Sequence, residues 1–102
     1  MAIYHTTAAS FGKIVSQGTV LVDFWAPWCA PCMMQGAILE ELDKETDGKV
    51  TIVKVNIDDE MLLARQCGVL SVPTLVLFRD GEVRDLAIGL QSIEQLRKFI
   101  EE

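Results

Sequence analysis

Residues 20–32 read Val20-Leu21-Val22-Asp23-Phe24-Trp25-Ala26-Pro27-Trp28-Cys29-Ala30-Pro31-Cys32. The run from Val20 to Ala26 is too short for an independent helix and rich in β-branched and aromatic side chains, the pattern of a strand buried on both faces. Pro31 then opens a segment reaching Thr46, with Met34, Ile38 and Leu42 at steps of four and Gly48 placed to take a left-handed C-terminal cap. A buried strand therefore runs almost directly into the main helix, and two cysteines stand at the junction.

Working outward, Val50 to Ile57 and Thr74 to Phe78 have the same strand character, the first interrupted only by Lys54. The acidic segment Asp58 to Glu60 is able to cap a helix after the earlier of the two. Asp80-Gly81, between Thr74 to Arg79 and Glu82 to Ile88, signals a tight hairpin. Ser92 with Gln95 three residues later makes a capping box, followed by an apolar stripe of Ile93, Leu96, Phe99 and Ile100. Thr6 or Thr7 caps a first helix carrying Phe11, Ile14 and Val15 and ended by Gly18. The predicted order is a short strand near Ile3, helix, strand, helix, strand, helix, two hairpin strands and a terminal helix. Early crossovers and a late hairpin imply an α/β fold with a mixed sheet covered on both faces.

The chain has 102 residues, half of them hydrophobic and 24% charged, enough for one domain, residues 1–102, with a core of its own. A net charge of -6 leaves no excess of cations for phosphates or anionic headgroups, so neither nucleic acid nor a membrane surface is an expected partner. Thr19 to Leu39 is long enough to span a bilayer and carries one charge. Pro27, Pro31, Asp23, Gln35 and Gly36 nonetheless argue against insertion. Met1 to Ser10 lacks a basic region, an apolar core and a cleavage pattern, so the expected location is cytoplasmic. Three cysteines cannot make a stapling framework, so any disulfide is expected to be functional.

Cys29-Ala30-Pro31-Cys32 has a mechanism built into its position. Backbone N–H groups and the helix dipole favour negative charge at the first sulfur, so Cys29 should ionise more easily than a free thiol at about 8.5. Cys32, one turn on and facing inward, is the candidate resolving thiol, and Pro31 fits the first helical turn. A zinc site needs four ligands, and only Cys67 and His5 remain, without metal spacing; no metal is expected. Asp23 is an acid in an apolar strand, where burial should raise its pKa. It can exchange a proton with Cys32, or it can simply pair with Lys54; the two roles are compatible, because Lys54 would tune the acid. Val72-Pro73-Thr74 starts a buried strand with a residue that cannot donate to the ladder, leaving backbone free to bind something extended, or marking no more than the strand's beginning.

Taken together, Asp23-Phe24-Trp25-Ala26, Trp28-Cys29-x-Pro31-Cys32, Ile38-Leu39-Glu40-Glu41, Lys54-Val55-Asn56-Ile57-Asp58, Gly68-Val69, Val72-Pro73-Thr74, Phe78, Gly81-Glu82-Val83 and Gly89 resemble the thioredoxin family over essentially the whole chain. The resemblance implies a thioredoxin fold, a five-stranded mixed central sheet flanked by four helices, and a monomeric dithiol reductant of protein disulfides. It implies Cys29 as attacking thiolate and Cys32 as resolving thiol, joined in the oxidised state by a redox-active disulfide, with Asp23 and Lys54 assisting proton transfer. A cis Pro73 with Val72 would hold substrate in strand-like fashion, and Trp28, Ala30, Pro31 and Gly89 would border the docking surface. No bound cofactor is implied; electrons would come from NADPH through a thioredoxin reductase.

The chain also departs from that pattern. Ala30 replaces the usual glycine, Met33 stands where a lysine is common, Ala37 where a helix-kinking proline often lies, and Pro27 where a polar residue is more typical. One Gly-to-Ala change is not expected to span the gap between about -270 mV, the value known for thioredoxins, and about -120 mV for a strong thiol oxidant. The competing readings are a thiol oxidase or isomerase on the same fold, a metal or iron–sulfur dimer using the Cys29 and Cys32 pairs of two chains, and an interaction module with an incidental dithiol. Cys67 is read as a small packing residue at a helix end, or alternatively as a reactive thiol near Val72 and Pro73.

Overall fold

The computed structural model describes residues 2–102. All nine expected elements form, in the expected order: β1 (Ile3–His5), α1 (Ala8–Ile14), β2 (Thr19–Trp25), α2 (Ala30–Thr46), β3 (Thr51–Asn56), α3 (Met61–Gln66), β4 (Thr74–Arg79), β5 (Glu82–Ile88) and α4 (Ile93–Phe99). The strands make one sheet in the order β1-β3-β2-β4-β5. β1 and β2 pair parallel with β3, whereas β4 pairs antiparallel with β2 and β5. β2 is thus the central strand, as its apolar run, interrupted only by Asp23, demands.

Alternation along β2 sorts the core into two halves. Val20, Val22 and Phe24 face α1 and α3, packing with Phe11, Val15, Leu63, Ala64, Val53, Val55, Val76 and Phe78. Leu21 faces α2 and α4, packing with Leu39, Leu42, Ile52, Leu75, Leu77, Leu96 and Phe99. Each large side chain sealed this way contributes about 1.5–3 kcal/mol of burial free energy. By the same alternation Asp23 points to the α2 side, into an otherwise apolar face.

The main helix corrects one expectation. Its buried row is Cys32, Gln35, Leu39 and Leu42, while Met34 is exposed and Ile38 only partly covered. The helix is set by packing on the sheet, and steps of three and four centred on Cys32 and Leu39 meet that surface better than a strict step of four. Its end is also sharper than foreseen, because Asp47 already adopts a left-handed conformation ahead of Gly48.

Three local signals resolve differently from their first reading. Thr7 is the N-cap residue of α1 without a side-chain cap bond, and Thr6 instead bonds the Ser10 hydroxyl at 2.7 Å. Gly18 does not end that helix, which stops at Ile14. Gly18 lies in the turn into β2, where it exchanges hydrogen bonds with Asp80. Asp58 to Glu60 supply no side-chain cap to α3. The Asp80-Gly81 hairpin and the Ser92/Gln95 capping box form as expected: both turn residues have positive φ, and both cap bonds are present.

Candidate active site

Cys29 is the N-cap residue of α2, and its extended backbone lets the chain leave β2 through Ala26-Pro27-Trp28 and turn into the helix. Its Sγ accepts the Cys32 backbone N–H at 3.2 Å, so an amide of the first turn is aimed at this sulfur. Cys29 and Cys32 are joined in a disulfide, with Cα atoms 5.2 Å apart. Cys29 keeps 6% of its surface exposed and Cys32 none, so a partner molecule can reach only the first sulfur. Both pack with Ala26, and Trp25, Ile57 and Val72 close the cluster at its edge. Ala30 and Pro31 are exposed on the outer side of the turn.

Val72-Pro73 is a cis peptide, and Pro73 is buried. The Thr74 hydroxyl donates to the Ser71 carbonyl at 2.7 Å and fixes the approach to β4. Gly89, held at φ 87°, donates its N–H to the Pro73 carbonyl at 2.9 Å. Among the described residues no hydrogen bond takes up the backbone N–H or carbonyl of Val72. The partly covered residue that carries this unpaired backbone packs against the dithiol cluster.

Trp28 is 68% exposed, yet its indole N–H donates to both carboxylate oxygens of Asp58, at 3.1 and 3.3 Å. The Asp58 N–H in turn is bonded to the Asn56 side chain. Sequence reasoning took Asp58 for a helix cap and missed this role; the only available signal was its place just after β3, level with the end of β2.

Asp23 is fully buried, and neither carboxylate oxygen has a hydrogen-bond partner. The nearest cation is Lys54 Nζ, 3.9 Å from Oδ2, which sequence pairing across β2 and β3 places at the same register. Burial pushes the Asp23 carboxyl up to about 7, and Lys54 only partly offsets that rise. The ammonium also lies 5.1 Å from the Trp25 ring centre, a cation–π distance. Gly36 of α2 leaves it room, since a Cβ there would stand 3.2 Å from Nζ. Lys54 lines a surface pocket of about 240 Å³ with His5, Trp25 and Asn56, and this opening links the ion pair to solvent.

His5 lies edge-on to Trp25, in register with Lys54 across β1 and β3, and takes no place in the cysteine cluster. Among the described residues no group of three or more His, Cys, Asp or Glu side chains is arranged to hold a metal ion. Cys67 caps the C-terminal end of α3 and packs against the α1/α3 half of the core, and burial pushes its thiol up from the ordinary 9.0. That environment keeps it protonated, in line with a packing role.

A buried and a near-surface cysteine at a helix start, packed against the residue before a cis-proline, on a sheet whose central strand buries an acid, define the thiol–disulfide oxidoreductases of this α/β architecture. Residues 2–102 match the family model for thioredoxin, and the chain belongs to the thioredoxin family. It is 45% identical to thioredoxin of Bacillus subtilis (strain 168) over 100 residues, covering 98% of this chain and 96% of that one. It is 44% identical to thioredoxin of Staphylococcus saprophyticus, covering 99% and 97%. A solved mutant thioredoxin from Halobacterium salinarum NRC-1 superposes with a TM-score of 0.89 at 38% identity, covering 97% of this chain and 87% of that one. The protein is a thiol–disulfide oxidoreductase with the five-stranded mixed sheet and four helices of that family. No helix among the described residues is long and apolar enough to cross a membrane.

Proposed function

We propose that the chain reduces disulfides in target proteins, drawing electrons from NADPH through a thioredoxin reductase, in the cytoplasm. The observation that carries this reading is the asymmetry of the dithiol: Cys29 Sγ is reachable and served by a helix-start amide, while Cys32 is sealed beneath it. In the reduced protein the helix N-terminus favours the Cys29 thiolate, which attacks one sulfur of the target disulfide. A Cys29-to-target disulfide forms and the target's other sulfur departs as a thiol after taking up a proton. The Asp23 carboxylate, poised near neutrality, accepts the Cys32 proton, and Cys32 attacks Cys29 Sγ. The second target thiol leaves, two electrons have passed to the target, and the Cys29–Cys32 disulfide remains for the reductase.

Lys54 acts as a positioning residue that moderates the charge on Asp23 and, through its pocket, gives the proton a route to water. The free Val72 backbone groups receive an extended segment of the target, and Trp28, Ala30, Pro31, Pro73 and Gly89 frame it. One chain carries the whole site, so the reaction needs no second copy. A protein using one dithiol for exchange, and no stapling disulfide, suits a reducing compartment.

The test is NADPH consumption in the presence of a thioredoxin reductase and a disulfide-bonded protein, beside a Cys32→Ser variant. Turnover by the native chain and a Cys29-linked mixed disulfide in the variant are expected. Absence of the trapped adduct refutes the assigned order of attack.

A further inference from the structure

Gln35 is completely buried, although its carboxamide is a group normally left to solvent. It stands three residues after Cys32 on the same inward face of α2, where its neighbours in the row are Leu39 and Leu42. Its polar atoms are satisfied by both backbone groups of a single residue in the loop between β5 and α4. Oε1 accepts the Gln91 N–H at 2.8 Å, and Nε2 donates to the Gln91 carbonyl at 3.2 Å. A two-point attachment fixes orientation as well as distance.

The connection continues toward the docking edge. The Gln91 side chain donates to the carbonyls of Gly89 and Ile88, at 3.1 and 3.3 Å, and the Gly89 N–H donates to Pro73. One run of hydrogen bonds thus joins the helix that carries Cys32 to the residue following Val72. The sheet alone does not supply this link, because Gly89 and Gln91 lie beyond the end of β5. Buried polar groups that are fully paired specify a unique arrangement at the expense of an apolar alternative.

We propose that Gln35 is a positioning residue for substrate recognition. It holds the Gly89–Gln91 loop to α2 and so fixes where the Val72-Pro73 backbone stands relative to Cys29, letting an extended peptide present its disulfide in line. The inference rests on the docking role assigned above to Val72 and Pro73. Gln35 touches neither the substrate nor the sulfurs, and it acts through Gln91 and Gly89. Losing that fixed placement weakens docking of an extended peptide and leaves the sulfur chemistry as it was, which reads as a change in KM.

The test compares two substrates: a disulfide-linked peptide long enough to lie along Val72, and a small nitroaromatic disulfide that has no backbone to dock. Gln35→Met keeps the side-chain length and removes both bonds. Expected is a rise of about tenfold in KM for the peptide, with kcat and the nitroaromatic rate each held within about twofold. Gln91→Ala, which removes only the side-chain bonds to Gly89 and Ile88, should raise the peptide KM by about threefold, and it decides the matter if Gln35→Met does not fold. Equal losses on both substrates, or an unchanged peptide KM in a folded Gln35→Met protein, overturn the proposal. If the native chain shows no preference for the peptide over the nitroaromatic disulfide, the docking role of Val72 and Pro73 itself falls, and that outcome is visible before any variant is made.

Discussion

Replacing Asp23 by Asn should stabilise the oxidised protein, by an amount that depends on pH. The Asp23 carboxyl is fully buried, has no hydrogen-bond partner on either oxygen, and is held up to about 7 by burial against an ordinary 3.8. The native state therefore keeps a proton that the unfolded chain gives up. Below 3.8 both states are protonated and the residue is neutral in effect. As pH rises from there the unfolded state ionises first, and stability drains away until the native carboxyl also ionises near 7. Each tenfold difference in proton affinity is worth about 1.4 kcal/mol, so the accumulated loss is about 4 kcal/mol. Asn has nearly the same shape and no titration, and Lys54, at the pocket rim with 19% of its side chain exposed, can turn to water. Urea unfolding of both oxidised proteins from about pH 3.5 to about pH 8.5 reads the difference directly, with every other titrating group cancelling. The gap should grow from near zero to about 4 kcal/mol and level off above about pH 7.5. A gap that is constant with pH would refute the reasoning. The same variant should slow the Cys32 step while sparing the first attack by Cys29, since in the proposed mechanism the acid takes its proton from the resolving thiol alone.

Asp58→Ala should release the Trp28 indole, red-shifting its fluorescence; losing an exposed hydrogen bond of about 0.5–1 kcal/mol should raise KM for protein disulfides about twofold to fivefold. In the oxidised protein Cys67 is the free thiol, and its alkylation should be slower than that of cysteine in solution, with a pH midpoint above 9.0 that drops on unfolding in urea. Cys67→Ala should leave disulfide reduction unchanged, measured by the same NADPH assay.

Much of this site was legible in the chain because its signals are local. A buried strand, two prolines and a helix start place Cys29 at a helix terminus whatever surrounds them, and the Cys-x-x-Cys spacing brings the sulfurs within one turn. Asp23 stood out because a charge interrupts an apolar run, and Lys54 because it is the only charge in the matching strand. The pairing of these two followed once β2 and β3 were taken as neighbours, and the register places them opposite. Where the reading slipped, the local signal was ambiguous and tertiary contact chose. Met34 and Gln35 are adjacent, and helical spacing favoured the apolar one. The sheet and the Gln91 loop nevertheless bury the amide, because two backbone groups stand ready to satisfy it. Asp58 looked like a cap and instead holds an indole from another loop thirty positions away.

The amino-acid order by itself determined the elements, their sequence along the chain, the dithiol at its helix start and the presence of a misplaced acid. These depend on side-chain period and on residues within a few positions of one another, which a folding chain meets at once. Only the folded arrangement decided how far Lys54 stands from Asp23, that the Val72 backbone is left unpaired, and that Gln35 ties α2 to the loop at Gly89. Those are distances between segments remote in sequence, and they are fixed by how the two halves of the core pack against one sheet.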